Sequence, residues 1–392
     1  MTVKRIRYLI FLRDVLILSV TAFGGPQVHF ALFIRVLVNK RGYLKEEELI
    51  ELNALCNFLP GPTSTQTITA LGFKLGGPSL AYLTLLVWIF PAFVVMTSFA
   101  LLISHFQSAE ISIAFTRFIQ PMAVGFISYA AVIITRKVVK TFEGAGVMVI
   151  AAIACYMLKS PFVFPVIMIL SASVTAIKFK TQPVEEKNGF KIDWSNFILW
   201  AVVFIVAALL GHFTKALPFR VFENFYRNGS MIFGGGQVLI PLLYTEFVEF
   251  KRYLTSEEFL TGYAAVQAVP GPVFSFASYI GALSMRQYGD FGEILGSMMA
   301  TAGIFLPGTF FIFFVIRFWE ELKKYRVIRA SLEGISAASA GMVVAAAFLM
   351  FDPIDVTALN MIMILGSFIL LIFTRIPPPF IILAGLIAGL LL

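Results

Sequence analysis

The chain has 392 residues, of which 59% are hydrophobic and only 13% charged, with a formal net charge of +8. Soluble domains carry about 25% charged residues, so a water-soluble globular fold is excluded. The basic residues sit in short loops between apolar runs, which orients a chain in a bilayer and lacks the aromatic-studded basic face of a nucleic-acid binder. Lipid and a small solute are the expected partners, nucleic acid is not, and nothing indicates a homo-oligomer.

The N-terminus, MTVKRIRYLIFL, imitates a signal peptide, but Arg13-Asp14 interrupts its apolar region and no small-residue cleavage site follows. It is therefore expected to stay as the first helix. Apolar segments run over about 7–23, 27–38, 46–58, 63–75, 80–103, 117–135, 146–158 and 162–177. A polar stretch at 178–194, without apolar periodicity, reads as a linker. After it come 197–210, then 219–233, 237–247, 256–268, 273–285, 292–316, 330–351, 356–373 and 380–392. The longest reach the roughly 20 apolar residues that cross a hydrocarbon core. Cys56 and Cys155 have no partner at metal-ligand or CxxC spacing and read as buried thiols. No metal site or cofactor is expected, and the absence of DDxxD, HExxH and GxSxG argues against a membrane-embedded enzyme.

The chain repeats itself at a constant offset of 210 positions: FGGPQV at 23–28 returns as FGGGQV at 233–238, and LPGP at 59–62 as VPGP at 269–272. Between them Tyr43-Leu44 and Glu47-Glu48 fall on Tyr253-Leu254 and Glu257-Glu258 without a gap. The expected organisation is a first repeat at 1–178, a cytoplasmic linker at 179–196, an extra helix at 197–211 and a second repeat at 212–392. The extra helix should invert the second copy. Loop charges agree: 104–116 has no Lys or Arg while its counterpart holds Arg317, Lys323, Lys324, Arg326 and Arg329, and at the next loop Arg136, Lys137 and Lys140 face Asp352 and Asp355. With basic loops cytoplasmic, the N-terminus lies inside and the C-terminus outside; Lys215, Arg220 and Arg227 run against this scheme. The expected fold is an all-α polytopic membrane protein of two inverted-topology repeats with broken transmembrane helices and about 13 membrane segments.

The segments flanking the motifs are too short to span alone, so each pair is expected to form one full-length helix broken mid-membrane at Gly24-Gly25-Pro26 or Pro60-Gly61-Pro62. The second-copy breaks are Gly234-Gly235-Gly236 and Pro270-Gly271-Pro272. A helix restarting after such a break exposes N–H groups without intrahelical partners, and these, with the helix dipole, suit an anion. Gln27 and Gln237, Thr63, Ser64, Thr65 and Gln66, and Ser275 stand just inside the restarts, where hydroxyls and amides can donate to an oxyanion. Asn57 and Gln267 precede the prolines in matched positions and are further candidates. The alternative, in which glycine and proline only permit kinks or close packing, stays open.

These strings resemble a known family. FGGPQVHF, RGYL and LCNFLPGPTSTQ, then FGGGQVLIPLL, YLTSEEFL and VQAVPGPVFSFASYIGAL, are similar to the chromate ion transporters in their long, two-domain form, over nearly the whole chain. The resemblance implies a carrier that exports the chromate dianion from the cytoplasm and confers resistance, in the plasma membrane of a prokaryote. Its glycine motif falls on Gly24, Gly25, Pro26 and on Gly234, Gly235, Gly236; its proline motif on Pro60, Gly61, Pro62, Gln66 and on Pro270, Gly271, Pro272; His29 also matches. Members commonly have an acid where this chain has Val36, while the second copy keeps Glu246.

Arg35 and Glu246 are candidate gating or coupling groups beside His29, since ionisable residues within a membrane tend to mark ion paths; equally, both could sit at the aqueous ends of their helices. Sulfate shares the shape and charge of chromate, so the donor inventory admits a sulfate transporter or exchanger. An anion channel is a further reading.

Overall fold

A chain in hydrocarbon must pair its backbone groups within each segment, which helix accomplishes. The computed structural model describes residues 3–108, 117–177, 192–233, 236, 238–322, 324–374 and 376–391, and among the described residues there is no strand. In chain order the helices are α1 (Val3–Thr21), α2 (Pro26–Phe33) running into a π-helix (Ile34–Lys40), α3 (Glu46–Phe58), α4 (Thr63–Ser108), α5 (Ile119–Val138), α6 (Phe142–Leu158), α7 (Val163–Ala176) and α8 (Ser195–Thr214). There follow α9 (Leu217–Met231), α10 (Leu239–Tyr244) running into a second π-helix (Thr245–Phe250), α11 (Ser256–Ala268), a 3-10 turn (Val273–Ser275) opening α12 (Phe276–Ser284), α13 (Gly289–Val315), α14 (Trp319–Leu322), α15 (Arg326–Phe351), α16 (Ala358–Phe373) and α17 (Pro378–Leu391). Among the described residues, five spans, centred on α4, α5, α8, α13 and α15, are long and apolar enough to cross a bilayer. The segment order matches the reading from sequence; most of the linker lies outside the described residues.

The first-copy motifs do more than interrupt helices. Arg41 Nη2 lies 2.6 Å from Asp14 Oδ1, and the Phe11 and Tyr43 rings are 5.3 Å apart, edge to face. A helix running straight on through the motif would carry residue 41 roughly 40 Å from residue 14, at about 1.5 Å per residue. The chain therefore turns back at Gly24-Gly25, whose φ values of +98° and +81° lie where only glycine sits without strain. Pro60-Gly61-Pro62 does the same: Thr67 Oγ1 reaches Asn53 Oδ1 at 3.3 Å, and Lys74 pairs with Glu48 at 2.6 Å. A third reversal at Gly76-Gly77 splits α4 and lets Trp88 Nε1 donate to Thr65 Oγ1 at 3.1 Å. The expected full-length broken helices are thus corrected, in the first copy, to hairpins with glycine–proline apices.

The chain divides into two compact units, and each takes segments from both copies. In the first, comprising Met1–His105, Trp194–Gly236 and Ala265–Ile316, the apices bond reciprocally. The Gly61 N–H donates to Ile232 O at 2.7 Å and the Gly271 N–H to Ala22 O at 2.9 Å, which are the same contact in the repeat numbering. Around them α13 packs on α8, α9 and α12. Glycine lets backbones meet here: a Cβ on Gly303 would stand 2.7 Å from Phe222 O, and one on Gly229 would stand 2.6 Å from Ile304 O.

The second unit, comprising Phe106–Asp193, Gln237–Ala264 and Arg317–Leu392, repeats the reciprocity at helix level. α15 packs on α6 and α7, and its first-copy counterpart α5 packs on α16 and α17. Gly341 and Gly334 of α15 lie against the carbonyls of Met148 and Ser171, leaving no room for a side chain.

Gly61→Ala combines a φ of +123° with a Cβ only 3.3 Å from Gly308 Cα. It should destabilise by about 1–3 kcal/mol, read as an earlier thermal transition of the detergent-solubilised protein. Gly366→Ala, in α16 with open space at its Cβ, is the control and should not shift the transition downward; equal losses in the two would refute the strained-apex account.

Candidate functional site

The first PGP apex is closed over by protein. Pro60, Gly61, Pro62 and the helical start Thr63–Gln66 are all buried. The Gln66 N–H makes the first backbone bond of α4, to Pro62 O at 2.8 Å. The amides of Thr63, Ser64 and Thr65 precede it and have no intrahelical acceptor. They point the positive end of the helix dipole at the apex.

Several expected donors are committed elsewhere in this arrangement. Gln66 Nε2 donates to Pro60 O at 2.7 Å and to Gly308 O at 3.3 Å, so its amide closes the turn and leaves only Oε1, an acceptor, unpaired. His29 Nε2 faces Ala22 O at 3.2 Å; a carbonyl can only accept, so this nitrogen carries the ring proton. Nδ1, 3.0 Å from Ser64 Oγ, then accepts the Ser64 hydroxyl proton in the neutral ring. Ser275 Oγ donates to Pro272 O at 2.7 Å, capping its own turn. In this arrangement Gln66 and Ser275 close turns, and Ser64 clasps His29.

What remains toward a ligand is smaller: the three amides, the Thr63 hydroxyl, which has no hydrogen-bond partner among the described residues, and the Thr65 hydroxyl, which accepts from Trp88 and keeps its own proton to give. His29 and Trp88 pack edge to face, 5.4 Å between centroids, behind this end of α4.

The other expected residues are dispersed. Gly24 is exposed, Gly25 and Pro26 are half-buried, and the Gln27 backbone lies in the first turn of α2, its side chain being outside the described residues. Gly234, Gly235 and Gln237 lie outside the described residues, whereas Gly236 lies in a turn near Val273 and Phe274. Asn57 is exposed and donates to Asn53 O of its own helix at 2.8 Å, so it does not join the buried group. Pro270 and Gln267 are half-buried, and Gly271 and Pro272 are buried.

Arg35 and Glu246 fall in the two π-helices, a feature the sequence did not announce. In both, an N–H reaches five residues back: Arg41 to Val36 O at 3.1 Å and Lys251 to Glu246 O at 2.9 Å, again equivalent positions. Such bulges concentrate at functional sites. The Glu246 side chain is fully buried, with Lys251 Nζ 4.0 Å from Oε1, while Arg35 is exposed. Sequence reasoning took Asp14, which in the structure anchors the first hairpin, only as an interruption of the first apolar run. It also missed Glu293, buried in α13, which reads in sequence as an ordinary first-turn acid.

Comparison with known proteins gives the same assignment across both copies. The family model described as chromate transporter matches residues 9–177 and again 219–390. An uncharacterized transporter of Methanocaldococcus jannaschii is 22% identical over 90% of this chain and 87% of its own length. A probable chromate transport protein of Synechococcus elongatus is 23% identical over 95% of this chain and 92% of its own, and the chromate transport protein of Cupriavidus metallidurans is 22% identical over 95% and 90%. No solved structure matches the chain. Matched twice and nearly end to end, this membrane protein belongs to the chromate transporter family.

Proposed function

We propose that the protein exports chromate from the cytoplasm across the plasma membrane, as a secondary carrier working by alternating access, with its two copies inserted in opposite senses. The observation that carries the reading is the reciprocal pair of hydrogen bonds, Gly61 to Ile232 and Gly271 to Ala22, which ties the two copies together at their repeated glycine and proline motifs, inside the two segments that the family model matches. The tetrahedral dianion is held by the Thr63, Ser64 and Thr65 amides with the Thr63 and Thr65 hydroxyls. All are neutral groups, so the empty site carries no uncompensated charge.

The hairpins support the assigned sidedness. α1 rises from a basic N-terminus and α2 with its π-helix returns to Lys40 and Arg41; α3 starts at Lys45 and α4 first returns to Lys74 before crossing. The ends of these limbs that carry the bases are taken as cytoplasmic, and the C-terminus as external. An inside-negative potential of about 100 mV favours exit of a dianion by roughly 4.6 kcal/mol, at about 2.3 kcal/mol per charge. Sulfate, with the same charge and shape, is the competing substrate.

Uptake of radiolabelled chromate into inverted vesicles, with voltage and proton gradient set separately, tests the function. Accumulation driven by an inside-positive vesicle potential, and stimulated by unlabelled chromate on the opposite side, is expected; no flux, or flux indifferent to trans substrate, would overturn export or the carrier mechanism respectively. Sulfate flux without chromate flux would reassign the substrate.

Thr63→Val removes a hydroxyl and keeps the shape. It should raise the half-saturating chromate concentration on the order of tenfold, the loss of one hydrogen bond to a charged group at about 1.5 kcal/mol. Gln66→Leu should instead lower the thermal transition, because its donors hold the Pro60 and Gly308 carbonyls; the reverse pattern would move the site. Cysteines placed at 104–116 and 317–329 should react with impermeant thiol reagents from opposite sides of oriented vesicles. Labelling from one side only would remove the inversion.

A further inference from the structure

The two limbs of the first hairpin enclose a cleft of about 390 Å³ that the motifs did not announce. Arg13, Asp14, Ile17 and Thr21 line it from α1, and Arg35, Lys40 and Arg41 from the returning limb. Their spacing puts each set on one helix face, with Lys40 and Arg41 at one end and Thr21, three residues from Gly24, at the other. The space is large enough for about ten waters at roughly 30 Å³ each.

Its charge is unbalanced. Asp14, 4% exposed, is the one carboxylate in the lining, and both its oxygens are taken: Oδ1 by Arg41 Nη2 at 2.6 Å and Oδ2 by the Tyr43 hydroxyl at 2.7 Å. Arg13, Arg35 and Lys40 are left without a carboxylate partner among the described residues. A guanidinium does not lose its proton, and cations at membrane depth must face water or an anion. Arg13 lies ten residues into α1, beside Asp14 and among Phe11, Leu12, Val15 and Leu16. Two unpaired guanidinium groups facing one polar space match the paired oxygens of an oxyanion, and lysine adds a point charge.

We propose that this cleft is a capture site for a small multivalent oxyanion, with Arg13 and Arg35 as its principal ligands and Lys40 at its mouth, separate from the neutral donors of the PGP apex. Under the transport reading on which its direction rests, it is the cytoplasmic mouth that concentrates chromate and passes it toward the glycine apex. A phospholipid phosphate offers the same chemistry; the assignment here is to the soluble ion.

The test needs no transport. In Ile17→Cys protein in phosphatidylcholine nanodiscs, an anionic methanethiosulfonate should modify the cysteine roughly tenfold faster than a cationic one, the focusing expected of a positive cleft. Unsubstituted protein, whose Cys56 and Cys155 are buried, supplies the background. Sulfate, used because chromate oxidises thiols, should slow the reaction. Adding Arg13→Gln and Arg35→Gln should bring the two rates together and abolish sulfate protection, while Arg35→Lys should keep most of both; elution as a single species confirms folding of each variant. Equal rates in the parent, or protection that survives loss of both arginines, would overturn the site, and protection only by phosphatidylglycerol would assign it to lipid. Absence of chromate flux with the labelling pattern intact would sink the transport reading and leave the cleft standing.

Discussion

The structure depends on one constraint: no backbone N–H can be left unpaired in hydrocarbon, yet an anion carrier must keep some available. Reversing the chain at a glycine–proline apex inside protein satisfies both demands. The hairpin ends break the helical ladder, and the strongest orphan donors are then taken by the other copy, as Gly61 gives its N–H to Ile232 and Gly271 to Ala22. The three amides at the start of α4 are what the arrangement leaves over. Glycine is required at these apices for backbone reasons, and at Gly229, Gly303, Gly334 and Gly341 for close approach, so one residue type serves two unrelated needs in the same chain.

Much of this was legible in sequence because a duplication in register is itself a structural statement. The helix order, the split after residue 75 and the pairing of motifs across 210 positions followed from apolar runs and repeated strings. The direction of the chain through Gly24-Gly25 did not. A reversal and a kink use the same residues, and only distant partners tell them apart: Asp14 with Arg41, Asn53 with Thr67, Glu48 with Lys74. The intramolecular partners of Gln66, Ser64 and Ser275 were not legible for a related reason. A polar side chain beside an apex can serve a ligand or the apex itself, and composition does not choose between them. The π-helices were invisible because register slips leave no residue signature.

His29 shows how tightly the clasp is specified. Its neutral ring joins three elements: Ala22 at the end of α1, the first turn of α2 that bears it, and Ser64 at the start of α4. Ala22 O also accepts the Gly271 N–H, so the two lone pairs of one carbonyl hold a side chain of the first copy and the backbone of the second. Leu239, the equivalent of His29, cannot make such bonds. The copies therefore share the apex-to-backbone hydrogen bond and differ in the side-chain chemistry beside it.

The distribution of charge along that path follows from what a carrier must avoid. At an effective dielectric of about 20, a unit charge pair 4 Å apart is worth roughly 4 kcal/mol, and a dianion doubles it. Two fixed guanidinium groups at the innermost site would hold such a ligand too firmly to let it go. On the proposed reading, the arginines and lysine of the cleft in the first hairpin are the attracting groups, and amides and hydroxyls surround the PGP apex. On that proposal, attraction acts where an ion is gathered and neutral dipoles act where it is released.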